Sequence, residues 1–460
     1  MNRNVVKKLA EIAGREHVLT SIEDRICYSY DSQHVERLPD AVVRPADTGQ
    51  VSQVLRLANE ARAPVVPRGA GTGLSGGSVP AEGGIVLDLS RLDRILEIDP
   101  ANMLATVQAG VVTASLAAAV EKHGLLYPPD PGSIEVCTIG GNVAENAGGL
   151  RAVKYGVTRD YLMALEAVSA EGSVFQTGAR TRKSVAGYDL TSLLCGSEGT
   201  LAVITKATFR LVPLPTYRRS ILATFQELSA AVDAVASVMA AGIVPATLEI
   251  MDGATIRAVE AYKKIGLPLD AQAMLLAEAD GPAAEAVEAE AEAIRRIIAE
   301  GGADSVQSAA DDDSRDRIWQ ARRSALAALA RVRPTTILED VTVPLDKLAR
   351  MVARIEETAG RWSVSIGTFG HAGDGNLHPT FLADERDAAE MSRVEQAAKE
   401  ILEAAIEMGG TVSGEHGIGL SKARFLPIEI GGAALDVMRR IKSVLDPAGI
   451  LNPGKIFASG

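Results

Sequence analysis

The chain has 460 residues, 47% hydrophobic and 23% charged, with a formal net charge of −12. That length carries two or three domains with cores of their own, and the acidic balance argues against a nucleic-acid backbone as partner. Cys27, Cys137 and Cys195 are too scattered for a disulfide framework, a zinc knuckle or an Fe–S cluster, and read as buried, inert thiols.

The first 37 residues read as a helical segment, with MNRNVVKKLAEIAGREHVLTS amphipathic. No secretory h-region with a cleavage site follows, and no apolar run reaches membrane-spanning length, so a cytoplasmic protein is expected. From about residue 40 short strands alternate with helices. AVVRP is a strand, TGQVSQVLRLANEAR a helix with Thr48 as its N-cap, and APVVP, GGIVLDLS, ILEIDP and LATVQAG are strands. VTASLAAAVEKHG is a helix closed by Gly124. The prolines of RLVPLPTYRR mark a boundary, which gives an α+β domain over 38–215. A second domain over 216–410 has helices on one mixed or antiparallel sheet, and a segment over 411–460 returns to the first. The acidic, alanine-rich helix at 283–300 reads as a solvated face.

Three glycine loops punctuate the first domain. PRGAGTGLSGG contains GxGxxG at Gly71, Gly73 and Gly76, but a Rossmann fingerprint must open a helix, and here SVPAEGGIVLDLS leads into a turn and a strand. What the loop offers is small residues whose N–H groups can turn toward one anion. PPDPGSIEVCTIGGNVAENAGGLRAVKYG and GYDLTSLLCGSEGTLAVITKATFRLVP are the other two. Together they suggest a large dinucleotide lying across several strand ends.

With GHAGDGNLH, SGEHGIG and ILNPGK added, the motif set resembles the FAD-linked D-2-hydroxyacid dehydrogenases of the vanillyl-alcohol oxidase/PCMH fold. Within that family the likeness is to the group of glycolate oxidases and D-lactate dehydrogenases, from about residue 38 to the carboxyl end. It implies a PCMH-type FAD-binding domain and an FAD-linked oxidase C-terminal α/β cap domain. It also implies that Pro67, Arg68, Gly69, Ala70, Gly71, Thr72, Gly73, Ser75 and Gly76 wrap the FAD pyrophosphate. Pro131, Gly132 and Ser133, then Thr138, Gly140, Gly141, Asn142, Ala144, Asn146, Gly148, Gly149, Tyr155 and Gly156, would line the flavin. Glu198, Gly199, Ile204 and Asn452 would complete the slot. The stretch Arg68–Gly77 holds no His or Cys, and His34 and His123 lie outside the flavin motifs, so the FAD is expected to be noncovalent.

Half of the six histidines fall in two glycine-framed segments. His371 and His378 flank a bend that Gly373 and Gly375 permit, and Glu415 precedes His416. Two imidazoles and a carboxylate suit a divalent cation with an open position. The resemblance makes His371, His378 and Glu415 ligands of zinc, manganese or iron, and His416 the general base. If the segment is extended, Glu415 and His416 point to opposite sides. A bound Lewis acid lowers the pKa of ligated water from about 15.7 to about 7; a comparable shift on a substrate hydroxyl is worth on the order of 10 kcal/mol. The resemblance makes Arg322 the receiver of the substrate carboxylate, and Asn376 is a candidate to bond substrate or brace a ligand. Relatives that oxidise D-2-hydroxyglutarate carry a Lys where Leu338 stands, beside Glu339 and Asp340, and an Asn at Thr380. Their absence favours a monocarboxylate such as D-lactate or glycolate.

With no cluster cysteines, an electron-transfer flavoprotein or an Fe–S subunit is expected to take the electrons, and through it a peripheral membrane association. Other readings are a D-2-hydroxyglutarate dehydrogenase or ether-lipid synthase on the same fold, and a non-catalytic flavin electron-transfer subunit.

Overall fold

The computed structural model describes residues 1–33 and 35–458; His34, Ser459 and Gly460 lie outside the described residues. The chain divides into two units, one formed by 1–148, 157–214 and 415–460, the other by 149–156 and 215–414.

The first unit carries two main sheets. Ala41–Val43, Ile85–Asp88 and Val65–Arg68 are parallel neighbours, with Val18–Leu19 antiparallel at the edge. Parallel strands need crossover connections, and the helix Thr48–Ala61 carries the chain from Ala41–Val43 to Val65–Arg68, which flank Ile85–Asp88. The helix residues Val51, Val54, Leu55 and Ala58 pack into one core with Leu9, Val65, Ile85 and Leu451. The N-cap is Asp47, whose side chain accepts from Gln50 N, and not Thr48; Thr48 donates to Glu166 instead. The second sheet is antiparallel, in the order Ile95–Asp99, Leu104–Gln108, Val203–Arg210, Leu162–Val168 and Val174–Gly178. The carboxyl end returns to the first sheet, where Val65 N donates to Ile450 O at 2.7 Å and Asn452 N to Val65 O at 2.8 Å. Cys137 and Cys195 are buried as expected, but Cys27 is exposed, because it ends the short helix Ile22–Ile26, which buries none of its residues.

The second unit is built on an antiparallel sheet. The strands Ser305–Ser308, Tyr217–Phe225, Ala273–Gly281, Thr247–Asp252, Ser365–His371, Asn376–Ala383 and Thr335–Leu338 follow in that order, and Val341–Thr342 also pairs with Asn376–Ala383. The helix Ala284–Glu300 buries only Val287, Ala291, Ile294 and Ile298, a single stripe at helical spacing, so its acidic side faces solvent. No helix among the described residues is long and apolar enough to cross a membrane.

Candidate functional site

In the first unit the glycine loop leaves the strand Val65–Arg68 and reaches the next strand at Ile85 without forming a helix. The Rossmann geometry is therefore absent from this stretch. None of the backbone N–H groups of Gly69, Ala70, Gly71, Thr72 and Gly73 donates to another described residue. A row of unengaged amides on small residues is what a phosphate cradle requires. Gly71 has a φ of +71°, and a Cβ on it would run into the Arg68 guanidinium; one on Gly69 would run into Thr138 Oγ1. Arg68 itself is buried, donating to Tyr30 O at 2.7 Å and Ser78 Oγ at 3.3 Å, and so braces the loop from beneath.

The second loop contains a short helix, Ile139–Glu145, that Thr138 caps. Asn142 turns into the core and donates to Thr113 Oγ1 at 2.7 Å, and Asn146 Oδ1 accepts from Arg159 N. Gly149, Tyr155 and Gly156 fall in the second unit, where the Tyr155 hydroxyl donates to Asp280 at 2.7 Å. In the third loop Glu198 has a φ of +51°. Its carboxylate accepts from Ile418 N and Gly419 N, each at 2.8 Å, and its carbonyl accepts from Asn452 Nδ2. Glu198 and Asn452 thus latch the carboxyl-terminal segment to the loops. Gly199 abuts Pro67, and Ile204 is buried in its strand.

Around that latch lies a buried polar cluster. Burial pushes the Glu145 carboxyl well up, with Glu198 and Asp31 adding to it, and Glu145 Oε2 is a buried atom with no hydrogen-bond partner. Ser75 Oγ is likewise buried without one. Burial lowers Lys455 to about 8 against the opposing pull of Glu198, Asp31, Glu82 and Glu145. Sequence reasoning singled out neither Glu145 nor Lys455, because their chemistry depends on enclosure.

In the second unit the candidate side chains share one face of the sheet. Strands Ser365–His371 and Asn376–Ala383 form a hairpin in which His371 stands opposite Asn376 and Phe369 opposite His378. Directly paired residues of an antiparallel ladder point the same way. The turn between them is Ala372–Asp374 with Gly375 at φ +79°, and a Cβ on Gly375 would strike Val343 O. The two imidazoles meet edge to face, with centroids 5.2 Å apart, and their nitrogens lie within 4.8 Å of each other.

The same register brings in residues that spacing could not disclose. Glu249 pairs with His371 on the neighbouring strand, and its Oε1 lies 2.7 Å from His371 Nδ1. Its Oε2 accepts from Arg322 Nε at 2.6 Å. Burial raises the Glu249 pKa, but His371 and Arg322 outweigh it and leave the group lowered. Asp340 Oδ1 lies 3.8 Å from His378 Nδ1, and Asp340 Oδ2 accepts from Ser413 Oγ at 3.1 Å. Thr342 pairs with Asn376; Thr342 Oγ1 and Asn376 Oδ1 are buried without a hydrogen-bond partner. Leu338 stands opposite Thr380, whose hydroxyl donates to His378 O at 3.1 Å. Both are buried.

Glu415 and His416 open the last stretch of the first unit. The backbone there bends and forms no strand, so the alternation expected of an extended segment fails: His416 Nε2 approaches Glu415 Oε1 to 3.8 Å.

Residues 214–456 match the family model of FAD linked oxidases, C-terminal domain, and residues 39–178 match that of an FAD binding domain. The chain belongs to the FAD-linked oxidases. It is similar to the glycolate oxidase subunit GlcD of Bacillus subtilis, at 50% identity over 100% of this chain and 97% of the relative. It is also similar to a D-lactate dehydrogenase of Anaerostipes hadrus, at 36% identity over 98% and 97%. Among solved structures, 4-ethylphenol oxidase from Gulosibacter chungangensis superposes with a TM-score of 0.81, at 19% identity over 99% of this chain and 97% of that one. p-Cresol methylhydroxylase superposes with a TM-score of 0.80 at 18% identity, over 99% and 97%. These two confirm the PCMH-type fold.

For an FAD-linked oxidoreductase the first unit fits its cofactor: the open amide row at Gly69–Gly73 suits the pyrophosphate, and glycines at 69 and 71 let that loop pack against Thr138 and Arg68. On the sheet face of the second unit, the Glu249 carboxylate engages His371 Nδ1, which leaves His371 Nε2 as a donor beside the His378 imidazole. That donor set suits a divalent transition metal.

Proposed function

We infer that this FAD-linked oxidoreductase is a divalent-metal-dependent dehydrogenase of a short D-2-hydroxy acid, D-lactate or glycolate foremost, that passes its electrons to a partner. The observation that carries the reading is the pair His371 and His378, facing each other with the Glu249 carboxylate against His371 Nδ1. Metal-ligating imidazoles are oriented by such a carboxylate. Glu415 is the third ligand of the proposal. It lies two residues beyond Ser413, which is hydrogen-bonded to Asp340, and two residues of chain span at most about 7 Å. The names of the relatives, a glycolate oxidase subunit and a D-lactate dehydrogenase, supply the substrate class. Zinc is the foremost metal, with manganese or iron the alternatives.

FAD when bound supplies the hydride acceptor, and a divalent cation supplies the Lewis acid that acidifies the substrate hydroxyl. Arg322 receives the substrate carboxylate on its Nη1–Nη2 edge, since its Nε is held by Glu249. Its guanidinium also rests over the Phe369 ring, 4.8 Å from the centroid. Asn376, whose Oδ1 is buried without a partner, bonds the substrate or braces a metal ligand. His416 accepts the hydroxyl proton. Leu338 and Thr380 present no cation to a second carboxylate, which favours a monocarboxylate over D-2-hydroxyglutarate. The electron-accepting partner is an electron-transfer flavoprotein or an Fe–S subunit, consistent with relatives named as subunits.

Anaerobic titration of the yellow protein with D-lactate, glycolate and D-2-hydroxyglutarate tests the reading. Either of the first two should bleach the flavin, and a chelator should stop bleaching while the flavin stays bound. Bleaching that persists after complete metal removal would exclude the cation, and failure of all three acids would favour a non-catalytic electron-transfer subunit.

A further inference from the structure

Glu249 sits in the middle of the sheet with no solvent exposure. It is paired with Leu276 on one side and His371 on the other, while Leu248 and Ile250 point to the opposite face. A buried ion pair contributes little stability compared with well-packed apolar groups. Yet each oxygen of this one carboxylate is engaged, Oε1 with His371 Nδ1 at 2.7 Å and Oε2 with Arg322 Nε at 2.6 Å. The two groups it touches come from a hairpin strand and from the helix Asp312–Arg323, and they have different proposed tasks.

We propose that Glu249 is a positioning residue, one carboxylate that simultaneously orients the His371 imidazole toward a metal ion and the Arg322 guanidinium toward the substrate carboxylate. The inference rests on the metal-dependent reading above and deepens it. Accepting from Nδ1–H fixes the tautomer with its lone pair on Nε2, the donor a cation needs. Accepting from Arg322 Nε stops rotation of the guanidinium about its long side chain, and the Phe369 face holds its plane. The Nη1–Nη2 edge is then the edge presented to an anion. Because both restraints pass through one carboxylate, the spacing between metal ligand and anion receiver is set by its width.

Glu249→Gln tests the double role, because an amide keeps one acceptor oxygen and turns an NH₂ donor toward the other partner; on His371 Nδ1 that donor favours the tautomer with its proton on Nε2. Zn²⁺ binding is measured by equilibrium dialysis on the flavin-loaded protein, and KM and kcat for D-lactate and glycolate at saturating Zn²⁺. The expected result is a metal affinity about ten- to a hundredfold weaker, and a KM raised at least about tenfold with a smaller change in kcat. Flavin content and the far-UV spectrum should be retained. Glu249→Leu, which keeps the volume and removes both acceptors, should show both losses together, whatever its melting temperature. A purely structural Glu249 would lower the melting temperature and leave metal affinity and KM at wild-type values in the folded protein; that pattern overturns the proposal while the metal-dependent reading stands. Wild-type protein that binds no Zn²⁺, or whose Zn²⁺ binding survives His371→Ala, overturns the metal-dependent reading and this inference with it.

Discussion

The two units build their sites from different materials. In the first, the donors are backbone amides on a loop of small residues, and side chains such as Arg68, Asn142 and Glu198 are turned away to brace neighbouring chain. In the second, the proposed donors are side chains on one sheet face, aligned by strand register, with the buried Glu249 carboxylate against His371. A backbone site is sensitive to any added Cβ and tolerant of lost charges; a side-chain site has the opposite sensitivities. The substitutions that best sharpen the contrast therefore damage one unit's function and spare the other's.

The largest effect is expected at the imidazoles. His371→Ala or His378→Ala should lower turnover by about 1,000-fold or more, equivalent to about 4 kcal/mol of barrier. Bound flavin, read from its visible absorbance, should remain at wild-type stoichiometry. Loss of flavin from either variant would break the separation between the two kinds of site.

Gly71→Val should do the reverse. Its backbone is left-handed, which costs an L-residue about 1–2 kcal/mol, and its Cβ would collide with the Arg68 guanidinium. The protein should purify with little or no flavin, while Zn²⁺ affinity stays within about threefold of wild type, a difference below about 1 kcal/mol. A fully yellow Gly71→Val protein would refute the amide-cradle account of the loop.

How far the sequence disclosed these sites follows the same division. The glycine loops are local, so their residues stand together in the chain, and the failure of the Rossmann pattern at Gly71, Gly73 and Gly76 was readable from the strand signal that follows it. The α+β class was readable from the strand and helix periodicities, but these left the second sheet either mixed or antiparallel, because periodicity does not report strand direction. The His371–Glu249 pair is separated by 122 positions, and no spacing rule links them. Only the register of Thr247–Asp252 against Ser365–His371 brings them together. Had the strand Thr247–Asp252 been read for its face, a glutamate between Leu248 and Ile250 would have been the signal. Rules also failed where their conditions were unmet: Thr48 lost the cap to Asp47 one position earlier, and alternation between Glu415 and His416 needs a strand that does not form there.

A smaller effect is expected at the latch. Glu198→Gln leaves one oxygen to accept from two amides, Ile418 N and Gly419 N, and turns an NH₂ group toward the other. A lost buried hydrogen bond costs about 1–3 kcal/mol, felt as local opening, so amide hydrogen exchange at residues 418–419 should accelerate about tenfold or more. Exchange in the strand Ser365–His371 should be unchanged. Uniform acceleration across both units would show that Glu198 supports global stability and not a local clasp.

The smallest effect, and the most diagnostic of the first unit's buried cluster, is a pH dependence. Burial first, and then Glu198 and Asp31, raise the Glu145 carboxyl above its usual 4.5. A folded pKa above the unfolded one means that the folded state holds the proton more tightly, so this group's contribution to stability is complete below about pH 4.5. It is lost as pH rises through the folded value. Glu145→Gln removes the ionisation and retains the shape. Its melting temperature should match wild type near about pH 4.5 and exceed it increasingly toward about pH 8, by a few degrees. The sign separates two physical accounts: if Lys455, lowered to about 8 and facing the same carboxylates, effectively neutralised Glu145, the glutamine variant would be the less stable protein near neutral pH. A difference that is constant between about pH 5 and 8 would mean that Glu145 does not titrate in this range, and that its unpaired Oε2 is a matter of packing alone.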